Sequence, residues 1–170
     1  MNLRWVGTCL FAAAIVGASC GVRDDTIQNP AAPTEVASVV PFGGAVAVDI
    51  GSTIRISFTR AMMPGMEAYA MLHEGSVDGP ETAGTWSFSA DGTVLSFVPD
   101  SPLKPQTLYT IHLGGGLRDA SGDMISYARC TESMGGQWVT RISGGMGSMM
   151  GVGWQNSNGR YGMTFSFTTA

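Results

Sequence analysis

The chain is poor in charge, in histidine and in cysteine, and each shortage removes a class of function. Only 13% of its 170 residues are charged, with 9 Lys and Arg against 13 Asp and Glu and a net charge of -4. So few cations cannot build a basic stripe, which excludes nucleic-acid binding as a main activity. With 2 histidines and no His-x-x-x-His or Cys-x-x-Cys spacing, the strong zinc frameworks are excluded as well. Long hydrophobic runs are also missing, since no segment approaches the ~20 apolar residues that a membrane span needs. What the chain does have is 44% hydrophobic residues, 24 Gly and 8 Pro. That is enough for one domain with a real core, built from short elements and many turns.

Residues 1–20 read as an export signal. Arg4 supplies a positive start, Val6 to Val16 an apolar run, and Gly17-Ala18-Ser19 small residues before Cys20. The mature protein is therefore expected outside the cytoplasm. Gly-Ala-Ser-Cys resembles the lipobox of bacterial lipoproteins, in which the cysteine is lipidated and becomes the mature N-terminus. Gly17 stands where a bulkier aliphatic residue is usual, so plain secretory cleavage nearby remains the alternative. Residues 21–35, with two adjacent acids, two prolines and little to bury, form a flexible tether. On this reading the only membrane contact is through the lipidated N-terminus. Cys9 leaves with the signal and Cys20 is acylated, so Cys130 alone remains in the folded part, expected as a buried thiol.

The folded part, residues 36–170, is organised around Gly84 to Leu113. A turn on Asp91-Gly92 sets Ser89 opposite Val94, Phe88 opposite Leu95, Ser87 opposite Ser96 and Trp86 opposite Phe97. A slip of one residue would mix apolar and polar faces, so the pattern fixes the register. Trp86, Phe88, Leu95 and Phe97 then need a second sheet to cover them. Further strands are expected at Val36 to Val40, at Val46 to Ile50, and at Thr53 to Thr59, where Ile54, Ile56 and Phe58 alternate with polar residues. Thr107 to Leu113 alternates too, with Tyr109, Ile111 and Leu113 inward and Thr110 and His112 outward. His112 is expected to be a solvated side chain. Tyr161, Met163, Phe165 and Phe167 share one side of a last strand. Short strands between turn residues, without helical periodicity, predict an all-β antiparallel sandwich.

Several landmarks carry a family resemblance: Pro41-Phe42-Gly43-Gly44-Ala45, Ile54 to Met62, the hairpin, Pro99 with Ser101-Pro102-Leu103, Pro105, Tyr109, Leu117-Arg118-Asp119 with Gly122, and the terminal Phe165-Ser166-Phe167-Thr168-Thr169. In this order they resemble the SbsA-type bacterial Ig-like domain. The resemblance implies an Ig-like sandwich of about seven strands. The spacing Leu103-x-Pro105-x-Thr107-x-Tyr109 resembles a tyrosine corner, which gives Tyr109 a structural role.

The chain departs from that pattern twice. Residues 124–160 form a long Met/Gly-rich insertion before the last strand, with Met134, Met146, Met149, Met150, Trp138 and Trp154. The second departure is Met62-Met63-Pro64-Gly65-Met66, followed by Met71 and His73. Thioethers and imidazole suit Cu(I), so Met63, Met66, Met71 and His73, with Met146, Met149 and Met150, form a candidate soft-metal cluster. Against it stands the plainer reading that Met fills irregular space or offers a pliable surface to a partner. Trp138 and Trp154 are read as caps over the end of the sandwich.

Enzyme signatures fail. Gly17-Ala18-Ser19-Cys20-Gly21 fits Gly-x-Ser-x-Gly but lies in the export signal, and Gly145-x-Gly147-x-x-x-Gly151 lacks the strand-turn-helix context of a nucleotide loop. Asp119-x-Ser121-x-Asp123 has no bidentate Glu behind it and is read as a turn. The expectation is a non-catalytic cell-envelope Ig-like lipoprotein, a binding or structural module whose partner is an envelope protein or a surface polymer. The alternative is a periplasmic Cu(I)-binding protein.

Overall fold

In the computed structural model, residues 32–140, 155–156 and 159–170 are described. The export signal, Cys20, most of the tether, Met146, Met149, Met150 and Trp154 lie outside the described residues.

Alternating apolar residues close into strands along most of the folded part. In chain order the strands are β1 (Val36–Val40), β2 (Ile54–Phe58), β3 (Ala70–Glu74), β4 (Gly84–Phe88), β5 (Val94–Pro99), β6 (Leu108–Leu113), β7 (Gln137–Trp138) and β8 (Met163–Thr168). They form two antiparallel sheets of order β1-β2-β5-β4 and β3-β6-β8-β7. Their inner faces supply one core: Ile54, Ile56, Leu95 and Phe97 from the first sheet, and Leu72, Ile111, Leu113, Met163, Phe165 and Phe167 from the second. This is the all-β antiparallel sandwich expected from the alternation, with the two-sheet arrangement that the Ig-like resemblance implies.

The hairpin has the register that its pattern demands, with Trp86 opposite Phe97, Ser87 opposite Ser96 and Phe88 opposite Leu95. Its turn is wider than expected. Gly92 N–H donates to the Ser89 carbonyl at 2.8 Å, and Gly92 alone carries the positive φ, of 70°. The loop therefore runs from Ala90 to Thr93, and one residue added to each side leaves the facing pairs unchanged. Asp91 Oδ1 accepts from Ser89 Oγ at 2.6 Å and from Thr93 N–H at 3.2 Å, which closes the turn and lowers the Asp91 pKa. Leu95 and Phe97 are fully buried, whereas Trp86 and Phe88 are half-buried because β4 is an edge strand.

Two elements differ from expectation. Val46 to Ile50 is not a strand. Ala47 has a left-handed φ of 53°, which breaks the extended run, and Val48 makes only a single bridge, to Thr169. The segment still lies along β8, with Gly44 N–H on the Ser166 carbonyl and Val48 N–H on the Thr168 carbonyl. The first part of the insertion folds as a short helix, α1 (Ala128–Ser133), which buries Cys130. Gly43 meets its end so closely that a Cβ there would collide with the Gly135 backbone, and Gly43 N–H donates to the Met134 carbonyl at 2.9 Å.

The tyrosine corner is present. Tyr109 is buried and its hydroxyl accepts the Lys104 backbone N–H at 2.9 Å.

Candidate functional site

The structure divides the methionine and histidine cluster that the sequence suggests. Gly65, with a φ of 88°, opens a 3₁₀ turn over Met66–Tyr69 that drives Met66 into the core. The Met66 sulfur accepts the Arg118 N–H at 3.3 Å, and Met63 N–H donates to the Arg118 carbonyl. Met66 is therefore a buried packing residue, and Met63 packs half-buried against the same core. Met71 and His73 alternate with the core residues Ala70 and Leu72 on β3, so they occupy the opposite, outer face of the second sheet.

That outer face is where the sequence misleads most. The ladder between β3 and β6 sets Met71 opposite His112 and His73 opposite Thr110. His112 does point away from the core, as its alternation predicts, but it is not solvated: its exposure is 0%, and that of His73 is 3%. Two backbone segments cap the pair. The loop after β3 folds back over the face, where Gly79 offers its carbonyl to His73 Nδ1 at 3.0 Å and Gly75 accepts from Thr110 Oγ1 at 2.6 Å. Gly79 passes so near the Glu74 carbonyl that a Cβ would not fit. From the other side, Tyr161 presents its carbonyl to His112 Nε2 at 2.8 Å, and Gly162, with a φ of 109°, lets the chain pass over Leu113.

The two imidazoles are neighbours, with ring centroids 6.0 Å apart and planes tilted by 41°. Burial lowers the His112 pKa from 6.5 to about 4; the bond to the Tyr161 carbonyl opposes the shift and the nearby His73 adds to it. His112 is a neutral imidazole at neutral pH. His73 Nε2 is buried without a hydrogen-bond partner among the described residues.

Elsewhere the polar groups are structural. Asp119 Oδ1 accepts from the N–H groups of Ser121 and Asp123, and its Oδ2 accepts from Thr34 Oγ1 at 2.6 Å, so the Asp-x-Ser-x-Asp segment is a turn. These bonds, that from Thr34 first, lower the Asp119 pKa. Cys130 is fully buried and its thiol pKa is pushed up to about 12 by burial, so it is an inert thiol at neutral pH. Trp138 is half-buried, edge-on to Tyr127 at 5.7 Å and under the Arg160 guanidinium at 4.7 Å. Among the described residues no group of three or more His, Cys, Asp or Glu side chains is placed to hold a metal ion. No helix among them is long and apolar enough to cross a membrane.

Among the described residues the large exposed apolar side chains are Val40, Phe42, Val46, Val98 and Leu108, none of them a methionine. Val40 at 54% and Phe42 at 62% exposure stand at the end of β1, and Val46, 75% exposed, follows in the next loop. Val40 and Phe42 line an open depression of about 540 Å³, together with Val39, Pro41, Ala45, Val48, Asp49, Ser52, Thr53 and Arg55. No alternation rule marks this patch. Its only sequence signal is Phe42 inside a Gly-rich turn.

Residues 30–132 match a family model described as the bacterial Ig-like domain. No curated protein matches the chain. Similar solved structures include the surface layer protein SbsC, domains 1–6, at 14% identity and a TM-score of 0.44, covering 81% of this chain and 14% of that one. PcoC, a methionine-rich copper resistance protein from Escherichia coli, has 14% identity and a TM-score of 0.47, covering 82% of this chain and 100% of that one. L,D-transpeptidase 1 of Mycobacterium tuberculosis has 24% identity and a TM-score of 0.38, covering 48% of this chain and 36% of that one.

Proposed function

The chain belongs to the bacterial Ig-like domain family, and from that membership we propose that it is a non-catalytic module of the cell envelope that binds another envelope component. The partner is an envelope protein or a surface polymer. The observation that carries this reading is the exposure of Val40 and Phe42 in one open depression, with the exposed Val46 in the loop that follows. Such side chains are usually withdrawn from water unless something covers them, and a rim of Asp49, Ser52, Thr53 and Arg55 supplies the polar border that contact surfaces carry. Among the methionines, Met62, Met66 and Met134 are buried, while Met146, Met149 and Met150 of the Met/Gly-rich loop lie outside the described residues.

The export-signal pattern of residues 1–20 and the lipobox-like Cys20 support a module outside the cytoplasm, held to a membrane by a lipidated N-terminus. Among the described residues, no nucleophile with a base and no pair of carboxylates in a shared cleft supports a catalytic reading. Retention of the chain on isolated cell envelopes, compared with that of a variant lacking the apolar patch, tests the proposal.

A further inference from the structure

The outer face of the first sheet carries a pattern that an apolar patch alone does not explain. One row of side chains crosses it: Val40 stands opposite Arg55, Arg55 opposite Ser96, and Ser96 opposite Ser87. Each alternates with residues of the core side, so all four point away from the core. Neighbouring rows add Ser38 opposite Ser57 and Thr85 opposite Val98. In a chain of net charge -4, these four strands contain no Asp or Glu, and Arg55 is their single charge. Hydroxyls, a few valines and one cation make up most of this face.

Arg55 also lines the open depression that holds Val40 and Phe42. It is exposed, and among the described residues it has no ion-pair partner. Asp49, on the rim of the same depression, accepts the Gly51 N–H at 2.7 Å and is not paired with Arg55. A guanidinium presents a planar fork of donors that fits the two oxygens of a carboxylate. Phe42 is offered by a backbone tied in three places. Gly43 N–H donates to the Met134 carbonyl, Gly44 N–H to the Ser166 carbonyl, and Ala45 N–H to the Phe42 carbonyl. The turn is thus ordered before a ligand arrives, which lowers the cost of binding. The face of its ring is electron-rich and attracts the polarised C–H groups of a sugar ring.

We propose that the ligand of this depression is an acidic polysaccharide of the cell envelope, a polymer whose sugar rings bear carboxylates. Arg55 grips one carboxylate, Phe42 stacks on a ring beside it, and the hydroxyls of Ser52 and Thr53 on the rim meet those of the sugar. Composition favours a polymer over a protein. Serine is depleted at protein–protein interfaces, whereas Ser38, Ser57, Ser87 and Ser96 lie on the face that continues from the depression. Such a face matches a partner that is itself rich in hydroxyls. A lone unpaired cation on an acidic chain selects a negative ligand by charge. This identity of the ligand rests on the docking surface proposed above and narrows its partner from two classes to one.

A short oligogalacturonate is the probe. It is set against its methyl ester, which keeps the rings and removes the charge, and against a glutamate peptide of equal charge, which keeps the carboxylates and removes the rings. Added to the ¹⁵N-labelled full chain carrying Cys20→Ala, the oligogalacturonate is expected to give saturable shifts of the Phe42 and Arg55 amides. The ester and the peptide should each bind at least about tenfold more weakly, the worth of one charge-assisted bond or more. Because Arg55 is exposed, Arg55→Gln should keep the fold and weaken binding of the oligogalacturonate by a similar factor. No saturable response to the oligogalacturonate, an ester or peptide that binds as well, or undiminished binding in Arg55→Gln would overturn the proposal. Retention on isolated envelopes without a response to the oligogalacturonate overturns the sugar ligand and leaves the docking surface standing. A response to the oligogalacturonate without retention on envelopes keeps the sugar site and removes the docking.

Discussion

The backbone N–H of Lys104 donates to the hydroxyl oxygen of Tyr109 at 2.9 Å, across the turn that starts β6. Tyr109 is 2% exposed and its ring stacks on Phe167 with centroids 5.8 Å apart, so the bond is made inside the core and ties the crossing from β5 to the second sheet. Tyr109→Phe keeps the ring and removes the acceptor, leaving the Lys104 N–H without it. The variant is expected to lose about 1–2 kcal/mol of folding stability, read from urea or thermal unfolding. Unchanged stability would show that the corner holds nothing.

His112 gives the fold a pH dependence whose sign follows from its environment. Its pKa is about 4 in the folded chain and 6.5 when unfolded, so above pH 6.5 neither state is protonated and the stabilisation is complete. As the pH falls from 6.5 to 4 the unfolded chain takes up a proton that the folded one refuses. Stability therefore falls by on the order of 3 kcal/mol across that window. His73 is the titratable neighbour in ring contact, while Asp91 and Asp119, with pKa values lowered from 3.8, act below the window. Unfolding midpoints measured between pH 7 and 4 should show the loss, and His112→Gln should flatten it. A flat profile in the wild type would contradict the burial of His112.

The proposed lipid anchor rests on one residue, Cys20. Cells fed a labelled fatty acid should incorporate it into the wild-type chain and not into Cys20→Ala, which should be released as a soluble protein. Labelling that persists in the variant would remove Cys20 as the acylation site and with it the tethered module.

Much of the fold is legible in the sequence because it is local. The pairing of Trp86 with Phe97 follows from alternation on either side of one turn, and Tyr109 from its spacing to Leu103 and Pro105. Val46 to Ile50 fails because the left-handed Ala47 is a backbone choice that leaves no mark on the hydrophobic pattern. The short helix holding Cys130 is hidden for the same reason, since six residues carry too little periodicity to show a face. The site was harder still. Alternation correctly sends His112 outward, but its burial is decided by Gly79 and Tyr161, each brought back by a loop, so outward did not mean solvated. Met66 departs in the opposite sense: its spacing to Met63 suggests a ligand, and the left-handed Gly65 turns it into the core.

The central claim is that this Ig-like module docks on an envelope component through Val40, Phe42 and Val46. The direct measurement is co-sedimentation of the full chain with isolated cell envelopes, in a Cys20→Ala background so that acylation cannot retain it. Because Phe42 and Val46 are exposed, Phe42→Ser with Val46→Ser should leave the fold unchanged. Saturable retention of the parent chain and loss of most of it in the doubly substituted chain is the result predicted. Equal retention of the two chains, or none of either, would contradict it.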